Sequence, residues 1–457
     1  MHNESDVEVK SFIDNQKFSA FHWLIFSLCF FVVVLDGYDT VAIGYVAHSI
    51  AEDWGVTREA LGPVMSAALV GLGVGAFFGG PLADRLGRRI VIVASTVLFG
   101  VFSGLSSIAW SLDALTVFRF LTGVGLGAAM PNSVALMSEF APGRVRSLTV
   151  NSQLMGFSAG MAVAGTASAW LIPNFGWQSV FAIGGVAPIV LSVLLIAFLP
   201  ESVQFLVLRD PHDKRIPRIM GKLSRVEIRA ASFRLSNEEH GVSKPRRRLI
   251  LSHEYRFGTI LLWISYFMHL TVYYLLAGWL PTLFRDAGFS LQRASVISSL
   301  FPIGGVIGTV IVGYAMDRCN ARRMVGWIYV SVAVMTILVG QTLGTPILLC
   351  VLMFVTGAMI TSAGISISTI AAQFYGAECR GTGVSWMYTV GRFGGVFGMF
   401  VGAALTGIGW RFGSVFAILA VPALVAGTGL LALARIKSND VNGGFAKFGA
   451  RAVREVD

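Results

Sequence analysis

Two acids sit three residues apart in a stretch otherwise fit for lipid, FFVVVLDGYDTVAIGYV, which runs from Phe30 to Val46. An aspartate at the centre of a membrane-spanning helix costs roughly 2.5 to 3.5 kcal/mol on insertion scales, so Asp36 and Asp39 need partners or a task. Residues three apart share a helix face, which lets both carboxyls point inward together, with Gly37 leaving a gap in the side-chain wall between them. Low-dielectric surroundings penalise a carboxylate's charge and a nearby arginine offsets that penalty, so such a group can load and release protons. Two arginines are placed to take part. Arg119 lies about eight residues into an apolar segment, ~12 Å deep at 1.5 Å per residue, where it could meet Asp36. Arg392 lies about eleven residues into another, near the midplane, where it neither snorkels easily nor stays unpaired. Its anion is either a lasting one, Asp36 and Asp39, or one that comes and goes. A substrate carboxylate suits the second case, because guanidinium binds it through two parallel hydrogen bonds.

Aromatic residues surround that second possibility. SYFMHLTVYYLLAGW supplies Tyr266, His269, Tyr273, Tyr274 and Trp279, of which Tyr266, His269 and Tyr273 share a face on a 3.6-residue period. Trp386 and Tyr388 stand shortly before Arg392. Rings beside a fixed cation suit a flat ring bearing a carboxylate, through stacked and edge contacts. For any single ring, packing against lipid serves equally well. His269 could bond a ring hydroxyl, shuttle a proton or bond the backbone.

These residues need a membrane scaffold, and composition provides one. The 457 residues are 55% hydrophobic and 13% charged, with mean hydropathy +0.71, about half the charge of a soluble protein. The polar opening MHNESDVEVKSFIDNQKF carries acids and no short apolar core with a cleavage site, so it does not read as a signal peptide. Cys29, Cys319, Cys350 and Cys379 lack paired spacing, so neither disulfides nor a zinc site is expected, and no cofactor or metal is called for. The net charge of +10 lies in short loops, as orientation requires, rather than in a patch for nucleic acid. By the positive-inside rule the loops holding Arg85, Arg88 and Arg89, Arg144 and Arg146, and Arg318, Arg322 and Arg323 are cytoplasmic, as are both termini.

Apolar runs of about 20 residues predict an all-α membrane protein with twelve spanning helices, near 20–47, 60–80, 90–109, 112–138, 148–171, 178–199, 257–284, 293–315, 324–341, 345–371, 382–406 and 411–435. The organisation is a tail (1–19), a six-helix bundle (20–199), a basic central loop (200–256), a second bundle (257–435) and a tail (436–457). The loop reads as a solvated linker with an amphipathic turn or as an anchor on anionic lipid. The bundles repeat: GPLADRLGRR answers GYAMDRCNARR, setting Asp84 opposite Asp317; EFAPGRVRS answers QFYGAECRG, setting Arg146 opposite Arg380; and SVFAI follows both Gly176 and Gly409. Such duplication is how secondary transporters build a site near the midplane between two rocking halves. GVGLGA at 123–128 fits a loose dinucleotide fingerprint, yet it lies inside an apolar segment with no preceding strand, so close helix packing is expected there.

GxLADRxGRR after the second segment, its degraded copy after the eighth and RFLTGVGLG in the fourth resemble the motifs of the major facilitator superfamily, over nearly the whole chain. DGYD, LPES and GRFGG are similar to the aromatic acid:H+ symporter family within it; PESVQF departs by lacking the base that usually follows. The resemblance implies a proton-coupled importer of a benzoate-type acid, with Asp36 and Asp39 as proton carriers. Arg392 or Arg119, with His269, Tyr273, Trp386 and Tyr388, would receive the acid. It implies a latch of Gly80, Asp84, Arg85, Arg88 and Arg89, with Asp317 and Arg318 in the copy and Glu139 and Arg146 beyond the fourth segment. Gly80 would allow close helix approach and Asp84 would accept from the N–H groups at a helix N-terminus. The expected partners are the aromatic carboxylate, protons and membrane lipid, with the chain a monomer in the inner membrane and no catalytic role. A carrier of another organic anion, such as an aliphatic dicarboxylate, and a sensor that binds without transport remain open.

Overall fold

Within lipid only a helix or a closed barrel satisfies its own backbone, and each apolar run identified above is helical. The computed structural model describes residues 7–57, 59–224, 233–234, 249–252, 255–316, 318–375 and 379–435. Among these, twelve helices are long and apolar enough to span a membrane. The first six are α1 (Ala20–Trp54), α2 (Leu61–Leu86), α3 (Arg88–Ser106), α4 (Leu112–Phe140), α5 (Arg146–Phe175) and α6 (Gln178–Phe198). The second six are α7 (Arg256–Asp286), α8 (Leu291–Met316), α9 (Ala321–Gln341), α10 (Pro346–Phe374), α11 (Arg380–Gly407) and α12 (Phe412–Arg435), the last interrupted by a turn at Leu419.

The chain divides into two compact units. Unit 1 comprises residues 1–242 with 276–303 and 399–410, so it includes the end of α7, the start of α8 and the end of α11. Inside it α2 packs along α4, α1 along α5, and α3 against both α4 and α6. Small residues bring α2 and α4 backbone to backbone: a Cβ on Gly123 or Gly127 would overlap the carbonyls of Ala68 and Leu72. The fingerprint-like glycines are therefore packing residues. At the far end of α1, His48 Nε2 lies 3.1 Å from Arg285 Nη2 and 3.0 Å from Glu52 Oε1. This polar group lies on the last turns of α1, which runs to Trp54, past the expected end at residue 47.

Before α1, the short helix Val9–Asp14 buries Val9 and Ile13 with Ile216, Met220 and Leu223 of a second short helix, Arg215–Ser224. Val7–Glu8 pairs in parallel with Phe233–Arg234. The amphipathic turn of the central loop thus rests on protein, and residues 225–232 and 235–248, the most basic part, lie outside the described residues. Asp14 anchors the leading segment, accepting from Arg146 Nη2 at 2.7 Å and from the Gly143 amide at 2.8 Å.

Unit 2 comprises residues 243–275, 304–398 and 411–457. In it α9 packs against α10 and α12, the same pairing that α3 makes with α4 and α6, as the internal repeat demands. Tyr266, Tyr329, Tyr375 and Met387 are buried in its core.

Candidate functional site

Asp39 sits where α1, α3, α4 and α6 converge. Its side chain is 1% exposed and that of Arg119 is 0% exposed. Arg119 Nη1 lies 2.8 Å from Oδ2 and donates to Oδ1 at 3.0 Å, while Nη2 donates to the Asp39 carbonyl at 2.9 Å. Ser103 Oγ donates to Oδ1 at 2.6 Å. Gly184 of α6 makes room for this cluster, since a Cβ there would lie 2.8 Å from Ser103 Oγ and 3.5 Å from Asp39 Oδ1. The guanidinium also rests 5.3 Å from the centre of the Phe181 ring, a favourable face for a cation. The expected meeting of Arg119 with Asp36 is therefore replaced by one with Asp39. Asp39 lies three residues nearer the Trp54 end of α1 than Asp36, and Arg119 lies only seven residues into α4 from Leu112, so the second acid is the closer of the two in depth to the arginine.

Asp36, also 1% exposed, accepts from Thr40 Oγ1 at 3.3 Å. Gly37 leaves no gap beside it. A Cβ at Gly37 would overlap the Phe157 carbonyl of α5, so the glycine admits a neighbouring helix. The two acids share a helix and burial but have different neighbours.

In unit 2, the aromatic face of α7 forms as expected. The Tyr266 ring lies 5.7 Å from that of His269, which lies 5.8 Å from that of Tyr273. Tyr388 of α11 meets Tyr266 edge to face at 5.3 Å, and its hydroxyl donates to Ser368 Oγ at 2.9 Å. Gly391 lies flat against Tyr266, and the neighbouring Arg392, half-buried, is within electrostatic range of the Tyr266 phenol. Trp386 turns away and stacks on Trp263 at 6.0 Å. Arg392, Tyr266, His269, Tyr273 and Tyr388 thus belong to one neighbourhood, whereas Arg119 belongs to unit 1.

The loop motif also takes a specific form. Arg88 Nε donates to Glu139 Oε1 at 2.5 Å, and Ser202 Oγ donates to Glu139 Oε2. Glu201 Oε1 accepts from the Arg89 amide at 3.1 Å and the Ser202 amide at 2.9 Å. The carboxylate that binds a helix N-terminus is therefore Glu201, at the start of α3, where the dipole favours an anion. Asp84, expected in that role, is exposed and accepts no hydrogen bond among the described residues. Gly87, at φ +99°, makes the turn that aims the α3 amides toward Glu201. A Cβ at Gly80 would meet nothing within 4 Å, so the close approach expected there is made instead by Gly79 against Ala128. Arg85 is exposed and Arg318 lies over the Tyr314 ring at 3.8 Å; Asp317 lies outside the described residues. Glu201 was legible only as the acid of LPES, and Ser103 carried no signal at all.

The sequence profile described as Major Facilitator Superfamily matches residues 29–252 and 262–454. The chain is 42% identical to the 4-hydroxybenzoate transporter PcaK of Acinetobacter baylyi, over 95% of this chain and 96% of that protein. It is 45% identical to the protein of the same name from Pseudomonas aeruginosa, over 93% and 95%, and 41% identical to the gallate transporter of Pseudomonas putida, over 94% and 95%. Among solved structures, a D-xylose-proton symporter matches with TM-score 0.71 at 18% identity, over 90% of this chain and 97% of that one. This last likeness concerns the fold alone.

Proposed function

Because the chain belongs to the major facilitator superfamily, a family of membrane transporters and not of enzymes, we propose that it imports an aromatic carboxylate of the 4-hydroxybenzoate type together with protons, by alternating access. The observation that carries this reading is the ring cluster of Tyr266, His269, Tyr273 and Tyr388, packed against Gly391 with Arg392, the next residue of α11, within electrostatic range of Tyr266. The names of relatives above 40% identity, 4-hydroxybenzoate and gallate transporters, support it.

In this reading Arg392 clamps the carboxylate and the rings contact the substrate's faces and edge. Arg119 is fully buried with its terminal nitrogens committed to Asp39, which makes it the acid's partner rather than the substrate's. Asp36 and Asp39 carry the protons. The protein works as a monomer in the cytoplasmic membrane with both termini inside, and the bundles 20–199 and 257–435 are its moving bodies.

Proteoliposomes holding the purified protein under an inward proton gradient test this directly. Labelled 4-hydroxybenzoate should accumulate above its external concentration and be released by a protonophore. Accumulation of succinate instead, or saturable binding with no accumulation, would overturn the reading.

A second expectation concerns Asp84. It accepts no hydrogen bond among the described residues in this conformation, so its task is assigned to another state, and a substitution acts on the equilibrium between states. Asp84→Asn should slow uptake several-fold while leaving the affinity for 4-hydroxybenzoate unchanged. Weakened binding at normal turnover would contradict this.

A further inference from the structure

Four buried side chains of unit 2 have a polar atom with no hydrogen-bond partner among the described residues: His269 through Nδ1, and Tyr329, Thr356 and Thr361 through their hydroxyls. His269, Tyr329 and Thr361 come from α7, α9 and α10; the first two are neighbours, and the Thr361 hydroxyl lies against Gly305 of α8. The His269 and Tyr329 rings stand edge to face with centroids 6.0 Å apart. On its other side the imidazole covers Gly364, where a Cβ would overlap Nε2. Gly364 is one turn after Thr361 on the same side of α10. The three are 5%, 1% and 8% exposed.

Leaving a buried donor or acceptor unmade costs stability, and each such group in a native fold calls for a reason. Phenylalanine and valine would fill the places of Tyr329 and Thr361 without that cost. The internal repeat marks the spot independently: the offset that carries Asp84 to Asp317 and Gly176 to Gly409 also carries Asp36 to His269. Both bundles therefore place an ionisable side chain at the same station of their first helix.

The chemistry of the three narrows what they can take. Two hydroxyls and an imidazole, with no carboxylate among them, match a group that both donates and accepts, and a phenolic hydroxyl is such a group. Tyr266 links the two helices: its ring lies 5.7 Å from the imidazole and packs against Gly391, the residue before Arg392. A ring held by its carboxylate at Arg392 would direct its far edge toward the trio.

Resting on the aromatic-acid reading above, we propose that His269, Tyr329 and Thr361 form a subsite that reads a hydroxyl on the substrate ring opposite the carboxylate. A site built to bond a hydroxyl rejects the analogue that lacks it, because its own groups are then left unmade. The subsite therefore selects 4-hydroxybenzoate over benzoate, and also over 2-hydroxybenzoate, whose hydroxyl lies next to the carboxylate.

Calorimetric binding of the three acids to purified protein tests this, with Tyr329→Phe as the decisive variant because it removes one oxygen that bonds nothing in the described residues. Wild-type protein should bind 4-hydroxybenzoate at least tenfold more tightly than either other acid. Tyr329→Phe should lose about tenfold for 4-hydroxybenzoate, keep its benzoate affinity, and unfold without ligand at the wild-type temperature or above. His269→Leu should lose the same preference. Equal wild-type affinity for 4-hydroxybenzoate and benzoate, an equal loss for both acids in Tyr329→Phe, or a marked fall in its ligand-free unfolding temperature would overturn the subsite while leaving aromatic-acid transport standing. Binding of none of the three acids would overturn both.

Discussion

Asp39→Asn should abolish gradient-driven accumulation of aromatic acid while the protein still inserts and still exchanges substrate across the membrane. Asparagine keeps the shape of the side chain and its bond to Ser103, but it cannot carry a proton or balance Arg119. The second loss complicates the first. Arg119 is fully buried, and removing one partner of a buried ion pair typically costs about 3–5 kcal/mol, because the remaining charge is left uncompensated. A fall in activity could therefore reflect a damaged bundle rather than a missing proton carrier.

The double variant Asp39→Asn with Arg119→Gln separates the two causes, since replacing both charges with neutral groups removes the uncompensated cation. It should recover the yield and unfolding temperature lost by the single variant, yet accumulate no substrate under an acid-outside gradient. Wild-type accumulation by the double variant would show that the pair only holds α1 to α4 and that the proton travels elsewhere, with Asp36 the next residue to test.

Arg392→Lys is expected to depress transport severely although it conserves charge. Lysine offers a point charge on a flexible stem, whereas guanidinium presents a planar fork to both carboxylate oxygens. Losing a charge-assisted interaction in a dry site costs about 1.5–3 kcal/mol, roughly tenfold to a hundredfold in affinity. The complementary change lies in the ligand: 4-hydroxybenzamide should bind wild-type protein correspondingly weakly. Equal affinity for acid and amide, or unchanged acid affinity in Arg392→Lys, would take the carboxylate away from Arg392.

What the amino-acid sequence determined by itself was everything that follows from one-dimensional patterns. The twelve spans are legible because lipid requires about 20 apolar residues in a row, and the helices observed match those runs to within a few residues at most ends. The repeat is legible because its motifs return at a near-constant spacing, and the aromatic face of α7 because helical period alone groups Tyr266, His269 and Tyr273.

Rotation and depth are different matters, because they depend on partners far along the chain. Two acids on one helix look alike in sequence, and Arg119 is in reach of either. Only the packing of α1 against α3, α4 and α6 gives Asp39 the arginine and leaves Asp36 with Thr40. Gly37 looks like a gap until α5 fills it. Glu201 rather than Asp84 reaches the start of α3, because the turn at Gly87 decides which way those amides point. Tyr329 is one aromatic among many in an apolar run. Its hydroxyl becomes notable only when the fold buries it beside His269 with no partner among the described residues, and that is a property of three-dimensional neighbours that no spacing along the chain encodes.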